Sequence, residues 1–326
     1  MRVLLTGGYG CIGSWIVRKL LDRGHESVWI YDLHQDLSRI RLLLSPAELE
    51  RVKHIEGDVT DLDNLTDALS VHEITHIIHL AALQVPFCRA EPIRGGHVNV
   101  LGTLTVFEAV KRLWPQIGQV VYASSVAVYG PQELYPERPL PEEVPLMPGT
   151  LYGGYKVCNE LNARVYWLDD GIPSATLRPW TVYGVGRDRG LTSAPTKAIK
   201  AALVGRPYHL PYGGWQCMQY VEDVAELFVR LAETPLQAAE VFNLRGSLVH
   251  VDEFLSCLAS VVPGADRLVS YEDVQLGIAY DLSDEKLRTA FPDFTYTPLR
   301  TGIERTVQRF RELQAQGQLS LEDLES

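Results

Sequence analysis

Short apolar runs alternate with longer stretches of helical spacing over about the first 180 residues. Residues 2–6 make the first run, and Ile12, Trp15, Ile16 and Leu20 then recur at the spacing of one helix face that stops at Gly24. Residues 28–31, 52–59, 74–82, 119–125 and 171–178 supply further strands, with helical patterns over 92–114 and about 151–168. Apolar runs of this kind suit strands buried on both faces, so the series predicts an α/β fold, a doubly wound parallel sheet with helices on both sides. A Pro/Glu-rich stretch at 131–148 is longer than an ordinary connection and is expected to act as a lid or substrate loop. Past Pro179 the alternation breaks into short elements between Gly/Pro joints. The expected division is a first domain of 1–179, with strands returned from later segments including about 215–245, and a smaller α/β substrate domain of 180–326.

Between the first strand and the first helix sit Gly7, Gly8, Gly10 and Gly13. Such a turn lets the backbone approach a bulky anion, which then faces the first helical N–H groups, around Cys11 and Ile12, and the helix dipole. The next run ends in Asp32, nineteen residues past Gly13. In a Rossmann-like dinucleotide fold an acid there accepts hydrogen bonds from the adenosine ribose and repels a 2′-phosphate. NAD is therefore the expected cofactor. Asp58 and Val59 read either as turn and core or as the flank of an adenine ring. Ala81 and Ala82, small residues at the end of the fourth strand, would let a cofactor lie against the backbone. His76 and His79 lie on one strand without further ligand partners, so they read as structural and no metal is expected.

Composition narrows the class. A net charge of −11 disfavours nucleic acid and anionic membranes as partners. No apolar stretch approaches the roughly 20 residues of a membrane span, and no signal peptide is evident at the start. Five scattered cysteines suit reduced thiols, so a cytoplasmic location is expected.

The chemistry rests on Ser125, Tyr152 and Lys156. Tyr152 and Lys156 are four apart on a predicted helix and share a face. An ammonium beside a phenol stabilises phenolate, lowering a pKa that starts near 10 and making tyrosine a usable proton acceptor. A serine at the end of the fifth strand is placed to hold a substrate hydroxyl. Thr6-Gly-Gly-Tyr-Gly-Cys-Ile-Gly13, Asp58-Val59, His79-Leu-Ala-Ala82, Asn99, Ser124-Ser-Val-Ala-Val-Tyr-Gly130, Tyr152-x-x-x-Lys156, Leu177-Arg-Pro179 and Tyr220-Val-Glu-Asp223 together resemble the extended short-chain dehydrogenase/reductase family, the NAD-dependent epimerases and dehydratases of sugars. The resemblance runs in order to about residue 235. It implies NAD contacts from Gly7, Gly10, Cys11, Ile12, Gly13, Asp32, Asp58, Val59, Leu80, Ala81, Ala82, Asn99, Lys156 and Pro179. It further implies Tyr152 as base, Lys156 on the nicotinamide ribose, Ser125 on the substrate oxygen, and a homodimer formed through the helices beginning near Pro92 and Leu151.

Departures from the family pattern bear on the substrate, whose candidate contacts are Gln84, Ser124, Thr181, Arg187, Arg189 and Gln216. Nucleotide-sugar members usually carry Asn where this chain has Thr181, and Arg-Asp-Phe/Tyr where it has Gln216-Cys217-Met218. A later Arg-x-Gly-Asp, expected near 262–280, is also missing. Arginine's fork is the preferred phosphate partner. Its loss points to a sugar, sugar acid or polyol without a nucleotide diphosphate, and Arg187, Arg189 and Lys197 are candidates for binding a carboxylate. A nucleotide-sugar 4-epimerase or dehydratase and a non-catalytic NAD(H) sensor are the alternatives.

Overall fold

The computed structural model describes residues 1–325 and packs as two compact units. The first comprises residues 1–130, 144–178 and 225–242. Its sheet contains β1 (Val3–Thr6), β2 (Val28–Asp32), β3 (Val52–Glu56), β4 (His76–His79), β5 (Val120–Ala123), β6 (Ser174–Arg178) and, returned from late in the chain, β10 (Ala239–Asn243). The strand order is β10-β6-β5-β4-β1-β2-β3, and β1 to β6 pair in parallel. The strand order reverses between β1 and β4, the point at which open α/β sheets bind ligands.

Helices cover both faces. On one, Leu62–Val71, Gly102–Arg112 and Leu151–Asp170 bury Leu65, Phe107, Val110 and Ala163 against Leu4, Ile77, Val120 and Tyr122. Phe107 stacks on Tyr166 with ring centroids 4.8 Å apart and meets Tyr122 edge-on. On the other, Arg23, capping the helix Cys11–Asp22, pairs with Glu226 and Glu233 of the helix Val221–Glu233.

The helix expected over 92–114 is interrupted. Pro92–Gly96 passes into a π-helical turn at His97–Leu101 before Gly102–Arg112 resumes the α-form. The carbonyl of Asn99 accepts from both the Thr103 hydroxyl and the Asn159 amide, which accounts for the widened turn.

The second unit comprises residues 131–143, 179–224 and 243–326. It holds β7 (Thr181–Tyr183), β8 (Tyr208–Leu210), β9 (Trp215–Tyr220), β11 (Ser247–His250) and β12 (Val269–Tyr271), with helices including Ala194–Leu203, Val251–Val261 and Leu299–Ala315. β9 sits between β7 and β11, pairing parallel with one and antiparallel with the other, so residues 215–224 pack with this unit and not, as the sequence reading expects, with the first domain.

The 131–148 stretch is not a free lid. Gln132 is buried and accepts from the backbone N–H groups of Tyr280 and Asp281, while Leu140 exchanges backbone bonds with Asp281 and Ser283. The Glu142 carboxylate, almost fully buried, takes the Asn243 N–H. Gln132, Leu140 and Glu142 thus sew the first half of the stretch into the second unit. Among the described residues no helix is long and apolar enough to cross a membrane.

Candidate active site

The turn after β1 is closed by backbone contacts that leave no room for side chains. Gly7 has φ +68°, and a Cβ there would lie 2.7 Å from the Ala81 nitrogen, so only glycine lets β1 and the exit of β4 meet this closely. A Cβ on Gly13 would meet the carbonyl of Gly7 and the backbone of Gly8 at 2.7 Å, fixing the first helical turn against the loop. Gly10 is the N-cap, and no side chain caps the helix. An uncapped helix end on a glycine cradle at the sheet's reversal point fits a dinucleotide pyrophosphate.

The remaining cofactor candidates are distributed as follows. Cys11 and Ile12 open the helix and are half-buried. Asp32 ends β2, where burial pushes its carboxyl above the usual range while the Leu33 N–H, donating at 2.9 Å, opposes the shift. Asp58 is exposed and accepts from both the N–H and hydroxyl of Thr60, while Val59 beside it is buried. Leu80, Ala81 and Ala82 follow β4 half-buried, and Pro179 follows β6. Asn99 is buried with its side chain engaged: it accepts from the Leu83 N–H at 2.8 Å and donates to the Leu83 carbonyl at 3.0 Å. Its observed role is to pin the segment that follows β4.

His79 runs through the same region in a directional chain. The Thr103 hydroxyl donates to the Asn99 carbonyl, so its oxygen accepts from Nε2–H of His79; Nδ1 then accepts from Thr6, whose oxygen takes the Ala81 N–H. Burial, aided by the Lys156 charge, pushes the imidazole down to about 3 and keeps it neutral.

The catalytic candidates come together where β5 ends beside the helix Leu151–Asp170. Thr150 caps that helix by accepting the Gly153 N–H at 3.0 Å. A Cβ on Gly153 would lie 2.1 Å from the Ala127 carbonyl oxygen. The helix therefore touches the 3₁₀ turn Val126–Val128, whose cap is Ser125. Ser125 is half-buried and its hydroxyl accepts the Ala127 N–H at 3.1 Å. One helical turn on, Lys156 is 4% exposed and donates from Nζ to the Ala123 carbonyl at 2.7 Å. Its nitrogen lies 5.6 Å from the centre of the Tyr152 ring. Burial lowers the ammonium to about 8, with Cys88 and Glu160 opposing that shift, so it stays mostly protonated at neutral pH. The arrangement holds a cation against a phenol at a strand end carrying a serine turn, which suits proton abstraction from an alcohol.

The substrate candidates are for the most part occupied by partners within the fold. The Ser124 side chain is buried and donates to Glu160. Thr181 and Gln216 are fully buried in the second unit and bond to each other, Thr181 Oγ1 donating to Gln216 Oε1 at 2.9 Å. Arg187 donates to Thr192 at 2.8 Å, and Arg189 is exposed. Gln84 is half-buried at the start of the short helix Val85–Ala90. The sequence reading does not single out Gly153, which sets the helix against the serine turn, or Glu160, which its spacing of four from Lys156 places on the catalytic face.

The family model for the NAD dependent epimerase/dehydratase family matches residues 3–244. UDP-glucose 4-epimerase of Mycolicibacterium smegmatis is 30% identical over 320 residues, covering 95% of this chain and 99% of the relative. The UDP-N-acetylglucosamine 4-epimerase of Methanobrevibacter ruminantium, solved with UDP-N-acetylmuramic acid, superposes with a TM-score of 0.81 at 27% identity, covering 95% of this chain and 98% of that one. UDP-glucose 4-epimerase of Thermus thermophilus, solved with NAD, gives 0.77 at 28% identity over 95% and 99%. With a family match over residues 3–244 and a relative 30% identical over nearly its whole length, this chain belongs to the NAD-dependent epimerase/dehydratase family, with NAD as its cofactor.

Proposed function

We infer that the protein oxidises a secondary hydroxyl of a free sugar or sugar acid, with or without returning the hydride to the product. The observation carrying this reading is the buried Lys156 ammonium, 5.6 Å from the Tyr152 ring and tied to the end of β5. In this reading Ser125 holds the substrate oxygen, Tyr152 removes the hydroxyl proton, and Lys156 stabilises the phenolate. NAD supplies the hydride acceptor. The substrate class rests on Gln216, which stands where nucleotide-sugar members carry an arginine and is satisfied in the interior by Thr181, and on the missing Arg-x-Gly-Asp near 262–280; neither supplies the family's arginine to clamp a diphosphate.

The relatives favour a second reading, a nucleotide-sugar 4-epimerase. A panel of free sugars, sugar acids and UDP-sugars incubated with NAD, with absorbance of the reduced nicotinamide followed, separates the two, paired with calorimetry on UDP-glucose. Net reduction by an unactivated sugar or its acid, with UDP-glucose binding weaker than micromolar, is expected. Micromolar or tighter UDP-glucose binding, with sugar interconversion and no accumulated reduced cofactor, would establish the second reading instead.

A homodimer belongs to the same proposal. Leu161, Val165 and Leu168 form an exposed stripe on the helix Leu151–Asp170, and Ile93, on the helix Pro92–Gly96, is 91% exposed. Sedimentation should give a dimer that Val165→Glu converts to monomer.

A further inference from the structure

Beneath the serine turn lies a buried ionic assembly that the reaction as described does not use. Arg178, ending β6, grips Glu160 with both arms of its fork, Nε to Oε1 at 2.9 Å and Nη2 to Oε2 at 2.6 Å. Both residues are nearly inaccessible to solvent. The Ser124 hydroxyl donates to the same carboxylate. Arg178 also donates to the Tyr129 hydroxyl and lies 4.9 Å from the centre of that ring. Ser124 and Tyr129 bracket the segment carrying Ser125, and Glu160 follows Lys156 by one helical turn. Carboxylate and ammonium thus sit on one helix face, and each also reaches the end of β5, through Ser124 in one case and the Ala123 carbonyl in the other.

Two charges taken out of water cost several kcal/mol unless each is well partnered. A shape-matched apolar pair would fill the same space without that desolvation penalty, so the presence of this pair beside Lys156 calls for a role. We propose that Glu160 is a positioning residue: its carboxylate, clamped by Arg178, holds the Ser125 turn to the catalytic helix and keeps the neighbouring Lys156 amine charged. This rests on the assignment of Lys156 to the reaction made above.

The groups facing Lys156 are few. Tyr152 lies on its own helix, and the Cys88 thiol comes from the segment after β4. His79, on β4, is neutral and feels the lysine charge. Tyr122 on β5 is buried between the influences of Glu160 and Arg178, with its phenol pushed up. Among these Glu160 is the carboxylate neighbour, and after Cys88 its field opposes the burial that lowers Lys156 to about 8.

The test needs no substrate. In NAD-free protein labelled with ¹³Cε-lysine, the Lys156 resonance, assigned by its loss in Lys156→Arg, is titrated in the parent, in Glu160→Gln and in Ser124→Ala. Glu160→Gln is expected to move the midpoint down by about one pH unit. Ser124→Ala keeps the carboxylate and should leave the midpoint in place. Because Glu160→Gln strands a buried guanidinium, the double variant Glu160→Gln/Arg178→Gln is titrated as well; it removes both charges and should keep the lowered midpoint. A folded variant lacking the carboxylate that titrates with the parent overturns the proposal. An equal shift in Ser124→Ala does the same, since packing rather than charge would then set the amine. Failure of Lys156 to take part in turnover would leave these titrations unchanged and appear only as an active Lys156→Met enzyme.

Discussion

The two units treat their polar interiors differently. In the first, buried polar groups gather at the strand exits: His79 and Asn99 bind those exits to the helices, and Lys156, Glu160 and Arg178 surround the end of β5. In the second, the corresponding network is self-contained. Thr181 bonds Gln216, Gln219 bonds the Trp180 N–H and the Leu244 carbonyl, and the Asp223 carboxylate takes the N–H and hydroxyl of Thr297. The glycine turn and the Tyr152–Lys156 pair therefore stand on local motifs at the exits of a parallel sheet, whereas Thr181 and Gln216, the substrate candidates read from the second unit's sequence, are buried and bonded to each other.

The sharpest way to break this contrast is Tyr152→Phe. It should cut kcat by about 10² to 10⁴ while leaving NAD affinity by calorimetry within about twofold; retained turnover would remove the first unit's claim to the chemistry. Next comes a pair of neighbouring glycines. Gly153→Ala drives a Cβ onto the Ala127 carbonyl and should lower kcat by about tenfold to a hundredfold and stability by about 1–3 kcal/mol. Gly154→Ala meets nothing within 4 Å and should raise helix stability by up to about 1 kcal/mol in a thermal melt. Equal behaviour of the two would mean that the helix is not seated against the serine turn.

Asp32→Ala should reduce the preference for NAD over NADP by about tenfold in paired binding titrations, the scale of one partly screened charge contact. The smallest effect is a pH slope. His79 is neutral in the folded protein and titrates only near 3, whereas the unfolded chain's histidine takes a proton near 6.5. The unfolded state binds the extra proton between those values, so this stabilisation is complete above pH 6.5 and is lost as pH falls toward 3. The melting-temperature advantage of the parent over His79→Gln should shrink by a few degrees between about pH 7 and about pH 4.5.

Much of the fold was legible because strands such as β1 and β5 are short, largely apolar runs buried in the sheet, whereas β3 at the sheet edge exposes Lys53 and Glu56; buried apolar runs need no long-range information to declare themselves. The glycine turn and Tyr152–Lys156 were legible for a similar reason, since spacing alone places their atoms. The π-turn at His97–Leu101 was hidden because its cause, Asn159 bonding the Asn99 carbonyl, lies 60 residues away. The 131–148 stretch read as a lid because its composition resembles one; its anchors, Tyr280, Asp281 and Asn243, lie more than a hundred residues downstream.

What the amino-acid order determined by itself is therefore the alternation of strands and helices, the dinucleotide turn and the shared helix face of Tyr152 and Lys156, all set by local spacing. What only the tertiary structure decided is which polar side chains remain available. Ser124, Asn99, Thr181 and Gln216 each look like ligand contacts in one dimension, and each is buried with a hydrogen-bonded partner in three. The physical reason is that a buried polar group must find its partner wherever the packed chain brings one, however far along the sequence that partner lies.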